Sequence, residues 1–160
     1  MPTPEELEKK FWKALASDMT VFLGCEAAAP RPMTAQYEGE GGPIWFFTSH
    51  ETELGEVLRH GAQNATMTFA SKGHDFWASA SGKLVLDNDR AVIDRLWNPF
   101  IAAWYEDGKD DPKLALARYD VRQAHLWEDG SSLVAGIQSL LGVDPKETYE
   151  DKSAQVNLAS

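Results

Sequence analysis

Apolar and polar residues alternate along this chain with two different periods. Leu7, Phe11, Leu15 and Met19 stand four residues apart and form one stripe, which predicts a helix from about Pro4 to Asp18. Thr3, Pro4 and Glu6 read as a capping box with proline at the first helical position. The pattern then changes. "TVFLGC" (Thr20–Cys25) is short, apolar and β-branched, and reads as a strand. "AAAPRP" reads as a break. "RPMTAQYE" alternates Arg31, Met33, Ala35 and Tyr37 against Pro32, Thr34, Gln36 and Glu38, and "IWFFTS" follows a glycine-rich turn. These two runs are expected to pair as a hairpin. "ETELGEVLRHG" reads as a short helix closed by Gly61, with Leu54, Val57 and Leu58 inward.

Downstream, "NATMTFAS" alternates with Ala65, Met67 and Phe69 on one face. "FWASASGKLVLD" is a long strand with small residues at its centre, where another backbone or a flat ligand can approach. "NDRAVIDRLWNPFIAAWYEDG" opens on an Asn/Asp cap. It carries Leu96, Trp97, Phe100, Ile101 and Trp104 at helical spacing, and Pro99 is expected to kink or split it. "KDDPKLAL" is a polar connection, "ARYDVRQAHLWED" a sixth strand, and "SSLVAGIQSLLG" a helix with Leu133, Val134, Ile137, Leu140 and Leu141 inward. The polar stretch from about 143 to 160 reads as a loosely held tail. Strands joined as hairpins dominate and no βαβ repeat of about 30 residues occurs. The expected fold is mainly β with flanking helices, a six-stranded antiparallel barrel. With no linker, repeat or low-complexity tract, residues 1–160 read as a single domain.

Composition narrows the function classes. The 160 residues are 43% hydrophobic and 25% charged, as in ordinary globular proteins. The formal net charge of −10 disfavours nucleic acid and anionic membrane surfaces. It also makes any cation in a pocket informative. No apolar run approaches a membrane span. The acidic, then amphipathic N-terminus is not a signal peptide. With one cysteine, a soluble cytoplasmic protein is expected. His50, His60, His74 and His125 lack paired ligand spacing, so no metal site is expected. Cys25, in an apolar strand, reads as an inert core thiol. Trp12, Trp97 and Trp104 read as core or interface residues. Trp45 and Trp127 lie on strands and could pack against a planar ligand.

Arg31 has two readings. One is a surface ion pair with Glu26 or Glu38. The other is an anion clamp, because guanidinium suits phosphate and Thr48-Ser49 end the paired strand beside a helix N-terminus.

The ordered set "TVFLGC", "RPM", "IWFFTS", "NATMTFAS", "FWASASGKLVLD", "DRLWNPFIAAWYEDGKDDPKLAL" and "HLWED" resembles the general stress protein branch of the pyridoxamine 5'-phosphate oxidase-like, FMN-binding split-barrel family. The resemblance runs from about Pro4 to Gly142. It implies a split β-barrel homodimer with FMN at the subunit interface. On this resemblance Arg31, Pro32, Met33, Phe46, Phe47, Thr48 and Ser49 hold the flavin phosphate and ribityl chain. His50 is the nearby potential cation, and Thr52-Glu53-Leu54 stand where relatives often carry a lysine or arginine early in the helix, with Leu54, or Glu53 if the register is one residue off, at that position. The second subunit is expected to add contacts around Ser79–Lys83, with Lys83 the cation, and near Trp97 and Trp104. The implied activity is that of a flavin-dependent oxidoreductase with an unidentified small-molecule redox partner. The alternatives are a non-enzymatic flavin-binding or stress-response protein, or a member that has lost flavin.

Overall fold

A computed structural model of the protein describes residues 2–39, 41–129 and 153–158. Helix α1 (Pro4–Asp18) starts where the capping box places it. The Thr3 hydroxyl accepts from the Glu6 N–H at 3.1 Å. Its buried face is Leu7, Phe11, Trp12 and Leu15, and Trp12 stacks on Tyr37 at 4.8 Å between ring centroids. Among the described residues the strands are β1 (Thr20–Cys25), β2 (Ala28–Thr34), β3 (Gln36–Tyr37), β4 (Ile44–Ser49), β5 (Gln63–Ala70), β6 (Phe76–Leu86), β7 (Leu114–Glu128) and β8 (Ser153–Asn157). They form one antiparallel sheet in the order β2-β1-β5-β6-β7-β4-β3, with β8 on β7. The described residues also form three shorter α-helices: α2 (Glu53–Arg59), α3 (Arg90–Leu96) and α4 (Pro99–Ala102).

The described residues hold eight strands where six are expected, for identifiable reasons. "AAAPRP" does not break the sheet. It opens β2, which runs along an edge, where Pro30 and Pro32 leave no central ladder bond unmade. Gly24 makes the fit possible, since a Cβ there would stand 2.7 Å from Pro30 backbone atoms. The run expected as one strand turns at Ala35, whose N–H donates to the Met19 carbonyl at 2.7 Å. The expected hairpin is therefore only half made. Arg31 pairs with Leu23 and Met33 with Val21 on β1, and only Gln36 and Tyr37 pair with β4. The sixth strand begins at Leu114, earlier than expected. The tail contributes β8, with Val156 buried against β7. The helix expected at 131–142 lies outside the described residues.

β2 and β3 are the two ends of the sheet order, yet one corner residue joins them in the chain. The sheet thus curls into a barrel with a seam at this corner. The core inside is continuous from Leu7 to Val156 and centres on Tyr119, which is fully buried. The Tyr119 hydroxyl reaches the Ala65 and Ala80 carbonyls at 2.9 and 3.2 Å, which satisfies it where burial pushes its pKa up. A second, smaller cluster of Trp45, Val92, Ile93, Ile101, Tyr105, Leu114 and Leu116 holds α3 and α4 to the barrel wall. No described helix is long and apolar enough to cross a membrane.

Candidate functional site

A cleft of about 640 Å³ opens at the seam. One wall is β2, with Arg31, Pro32, Met33 and Thr34. The floor is the end of β4, with Phe47, Thr48 and Ser49, and the far wall is α4 and the turn after it. That volume falls within the usual range for small-molecule pockets.

Hydrogen bonds fix the end of β4 in place. The Thr52 hydroxyl caps α2, accepting from the Gly55 N–H at 3.0 Å and donating to the Ser49 carbonyl at 2.8 Å. Thr48 Oγ1 lies 3.0 Å from Thr52 Oγ1, and Ser49 Oγ accepts from the Glu51 N–H at 3.1 Å. Gly55 permits this tight turn, since a Cβ there would stand 1.9 Å from the Ser49 carbonyl oxygen.

The far wall is built differently. The helical stretch expected over 88–108 splits at Pro99, as its proline implied, and Asn98 caps α4 by accepting from the Phe100 and Ile101 N–H groups, each at 2.9 Å. Ile101 turns inward, whereas Phe100 and Trp104 are 85% and 84% exposed at the cleft. Tyr105 ties this wall to the floor, its hydroxyl donating to the Thr48 carbonyl at 2.6 Å. Its ring packs with Phe47 and Trp97. Burial, with Asp111 nearby, pushes the Tyr105 pKa up to about 12, so the phenol stays a neutral donor at physiological pH. Asp111 is itself held below the usual carboxylate range by the Lys113 and Asp107 N–H groups.

Arg31 is the one cation lining the cleft among the described residues, and no described group pairs with it. Glu38, a partner weighed for it, is instead engaged by Arg95 at 2.9 and 3.1 Å. That pairing holds the Glu38 pKa down.

The structure brings Arg31, Pro32, Met33, Phe47, Thr48 and Ser49 together in the cleft. It places four other candidate residues elsewhere. Phe46 and Leu54 are 0% and 1% exposed and belong to the barrel core, because strand alternation turns Phe46 inward and α2 packs Leu54 against the sheet. Lys83, expected to act from the second subunit, is half-buried on β6, opposite Asn64 and Asp120, outside the cleft lining of its own chain. His50 lies one residue past the floor. Its N–H donates to the Lys113 carbonyl at 2.9 Å, and its Nδ1 is buried without a described partner. Trp104 lines the cleft, Trp97 packs behind Phe47 at 6.3 Å, and Trp45 lies in the smaller cluster. Trp127 stacks on His125 at 4.1 Å near the end of β7, outside the cleft lining. Sequence reasoning missed Gln36, Thr52, Asn98 and Tyr105. The Asn-Pro pair was a usable signal for Asn98. Nothing local marked Tyr105, because its partner is 57 residues away.

A family model described as pyridoxamine 5'-phosphate oxidase like matches residues 6–150. The chain belongs to this family. Within it, a general stress family protein of Xanthomonas campestris pv. campestris is 58% identical, with a TM-score of 0.72 over 81% of this chain and 92% of that one. A protein of Xanthomonas citri described as a general stress FMN/FAD binding protein is 55% identical, with a TM-score of 0.74 over 80% and 92%. General stress protein 26 of Bacillus subtilis is 24% identical over 62% of this chain and 71% of its own length. Protein bli-3 of Neurospora crassa is also 24% identical, over 64% of this chain, and the match spans only 53% of bli-3. These relatives place the chain in the general stress protein branch, and the antiparallel split barrel with flanking helices is the fold of its structural neighbours.

Proposed function

We propose that this family member binds FMN in the seam cleft as a homodimer and works as a cytoplasmic flavin-dependent oxidoreductase. The observation that carries the reading is the unpaired Arg31 guanidinium, facing a cleft in a chain of net charge −10. A free cation beside the Thr48-Ser49 strand end suits a phosphate, because guanidinium and hydroxyl donors both recognise phosphate oxygens. The apolar walls of Met33, Phe47 and Ile101 suit a flat ring system. The residues present therefore fit the group. The description of the Xanthomonas citri relative as an FMN/FAD binding protein supports the same reading.

A bound flavin supplies the redox chemistry, and the protein supplies position and electrostatics. This matches a described cleft lining that contains no carboxylate, histidine or cysteine. The homodimer is supported by Phe100 and Trp104, large apolar side chains left open at the cleft mouth where a second subunit would cover them.

The test is binding, assembly and turnover measured separately. The purified protein should take up FMN with a flavin absorbance spectrum and a raised melting temperature. Light scattering should give twice the mass of one chain. Reduced nicotinamide nucleotide should bleach the bound flavin, and an added acceptor should restore it. A protein that stays colourless, with no thermal shift at millimolar FMN, would reject the flavin reading. Binding without bleaching would leave a flavin-binding protein that is not an enzyme of this kind.

A further inference from the structure

Two non-glycine residues among the described ones have left-handed backbone, Met19 at φ 60° and His74 at φ 54°. His74 is ordinary. It is exposed in the turn between β5 and β6, and histidine is one of the types enriched in that conformation. Met19 is not ordinary. It follows the last residue of α1, where a left-handed residue is usually glycine and sometimes asparagine. Hydrogen bonds hold it there from both sides. The Met19 N–H donates to the Leu15 carbonyl at 2.9 Å, and its own carbonyl accepts from the Ala35 N–H at 2.7 Å. The α1 stripe predicts a core residue, yet Met19 is half-buried and belongs to neither apolar cluster. It lines the cleft instead. Core packing therefore gives no reason for a long side chain on a backbone that disfavours one.

We infer that the Met19 side chain is a contact for the flat ring of the ligand, and that this contact is why the fold keeps methionine on a strained backbone. Strand register favours the ring end over the phosphate end. Arg31 pairs with Leu23 on β1, whereas Thr34 pairs with Thr20, the neighbour of Met19. Arg31 and the Met19 level of the sheet thus stand three to four residues apart, or ~10–13 Å along the strand. Both line one cleft, so a ligand anchored by its anion at Arg31 extends toward Met19 with its other end. A thioether there packs favourably against an aromatic ring. The assignment rests on the flavin reading above and adds a ring contact that lies outside β2 and the end of β4.

The experiment measures ligand-free melting and flavin affinity side by side on the full chain. The ligands are FMN, riboflavin and lumiflavin, which is the ring without the polyol. Met19→Gly and Met19→Asn suit the left-handed backbone and should raise the melting temperature by roughly 2–4 °C. The same two variants should weaken all three flavins alike, by about 3- to 10-fold. Met19→Leu keeps the apolar bulk and should match wild type in both measurements. Higher melting with unchanged affinity would overturn the assignment, because the side chain would then do nothing for the ligand. Lower melting would overturn it too, since methionine would be there for the fold. So would a loss confined to FMN, which would put Met19 at the phosphate. Wild-type protein that binds none of the three flavins would reject the flavin reading, and the Met19 contact with it.

Discussion

The two sides of the cleft are held by different physics. On the strand side, the end of β4 is bound into a closed set of hydrogen bonds through Thr48, Ser49, Thr52 and Gly55, and the Arg31 side chain stands free beside it. On the α4 side, a helix of four residues carries Phe100 and Trp104 into solvent. It is attached by the Asn98 cap, the Tyr105 hydroxyl and a small apolar cluster. The first side is held by hydrogen bonds within one chain. The second leaves about four-fifths of two large rings uncovered among the described residues. On the proposed reading, specific recognition belongs to the strand side, and assembly to the helix side.

The sharpest way to break this division is at Arg31. Hydrogen bonds to charged groups contribute roughly 1.5–3 kcal/mol. Arg31→Ala should weaken FMN by about 10- to 100-fold at ~1.4 kcal/mol per decade, leaving riboflavin and dimer mass untouched. Equal losses for both flavins in a titration would mean that the arginine supports the strand rather than the phosphate. The matching change on the other side is Trp104→Ala. Buried interface tryptophans commonly contribute about 2 kcal/mol, so the dimer should dissociate about 30-fold more readily, seen by light scattering on dilution. The variant chain should melt normally as a monomer, because Trp104 is 84% exposed within one chain. An unchanged dimer would place the interface elsewhere.

Legibility in the sequence divides in a related way. α1 could be read to the residue because its cap and its stripe are local, and β5 to within one residue at each end because its alternation is uninterrupted. The split at Pro99 could be read from one ring without an N–H. What could not be read was long-range. Prolines at 30 and 32 argue against a strand unless it is known to lie at an edge, and edge position is a property of the finished sheet. Helical spacing grouped Phe100 and Trp104 with Ile101, but the split helix separates them, sending Ile101 inward and the other two out. At the cleft, Arg31, Thr48 and Ser49 were visible as residue types in a known order. Thr52 and Tyr105 enter through hydrogen bonds that no pattern announces, whereas Asn98 is signalled by its place before a proline. Phe46 and Leu54 stood near the motif in sequence but face the core.

Tyr105 joins the two sides, so its loss should be felt modestly by both. Tyr105→Phe keeps the ring packing against Phe47 and Trp97 and removes the bond to the Thr48 carbonyl. The expected cost is about 1 kcal/mol, or roughly 2–4 °C in melting temperature for a domain of this size. Amide exchange at Ile101 and Ala102 should quicken, because α4 loses its tie to the floor. A variant with wild-type melting and exchange would show that the apolar cluster alone holds α4.

The smallest effect should come from the charge missing beside the phosphate. α2 begins with Glu53 and Leu54, and only Glu53 is open to solvent. Leu54→Lys would force an ammonium into the core, a change dominated by stability rather than binding. Glu53→Lys is the usable form. It exchanges a repulsive charge for an attractive one near the strand end, and surface pairs contribute about 0.2–1 kcal/mol. FMN should therefore tighten by only about 2- to 5-fold, with the gain fading as salt is raised and ions screen the pair. The substitution also removes an acid from the first turn of a helix, where it complements the dipole, so stability should fall by roughly 0.3–1 kcal/mol even as FMN affinity rises. Opposite signs for stability and affinity are the signature to look for by calorimetry. If FMN and riboflavin tighten together, or if the gain persists in high salt, the added lysine acts on something other than a phosphate at the strand end.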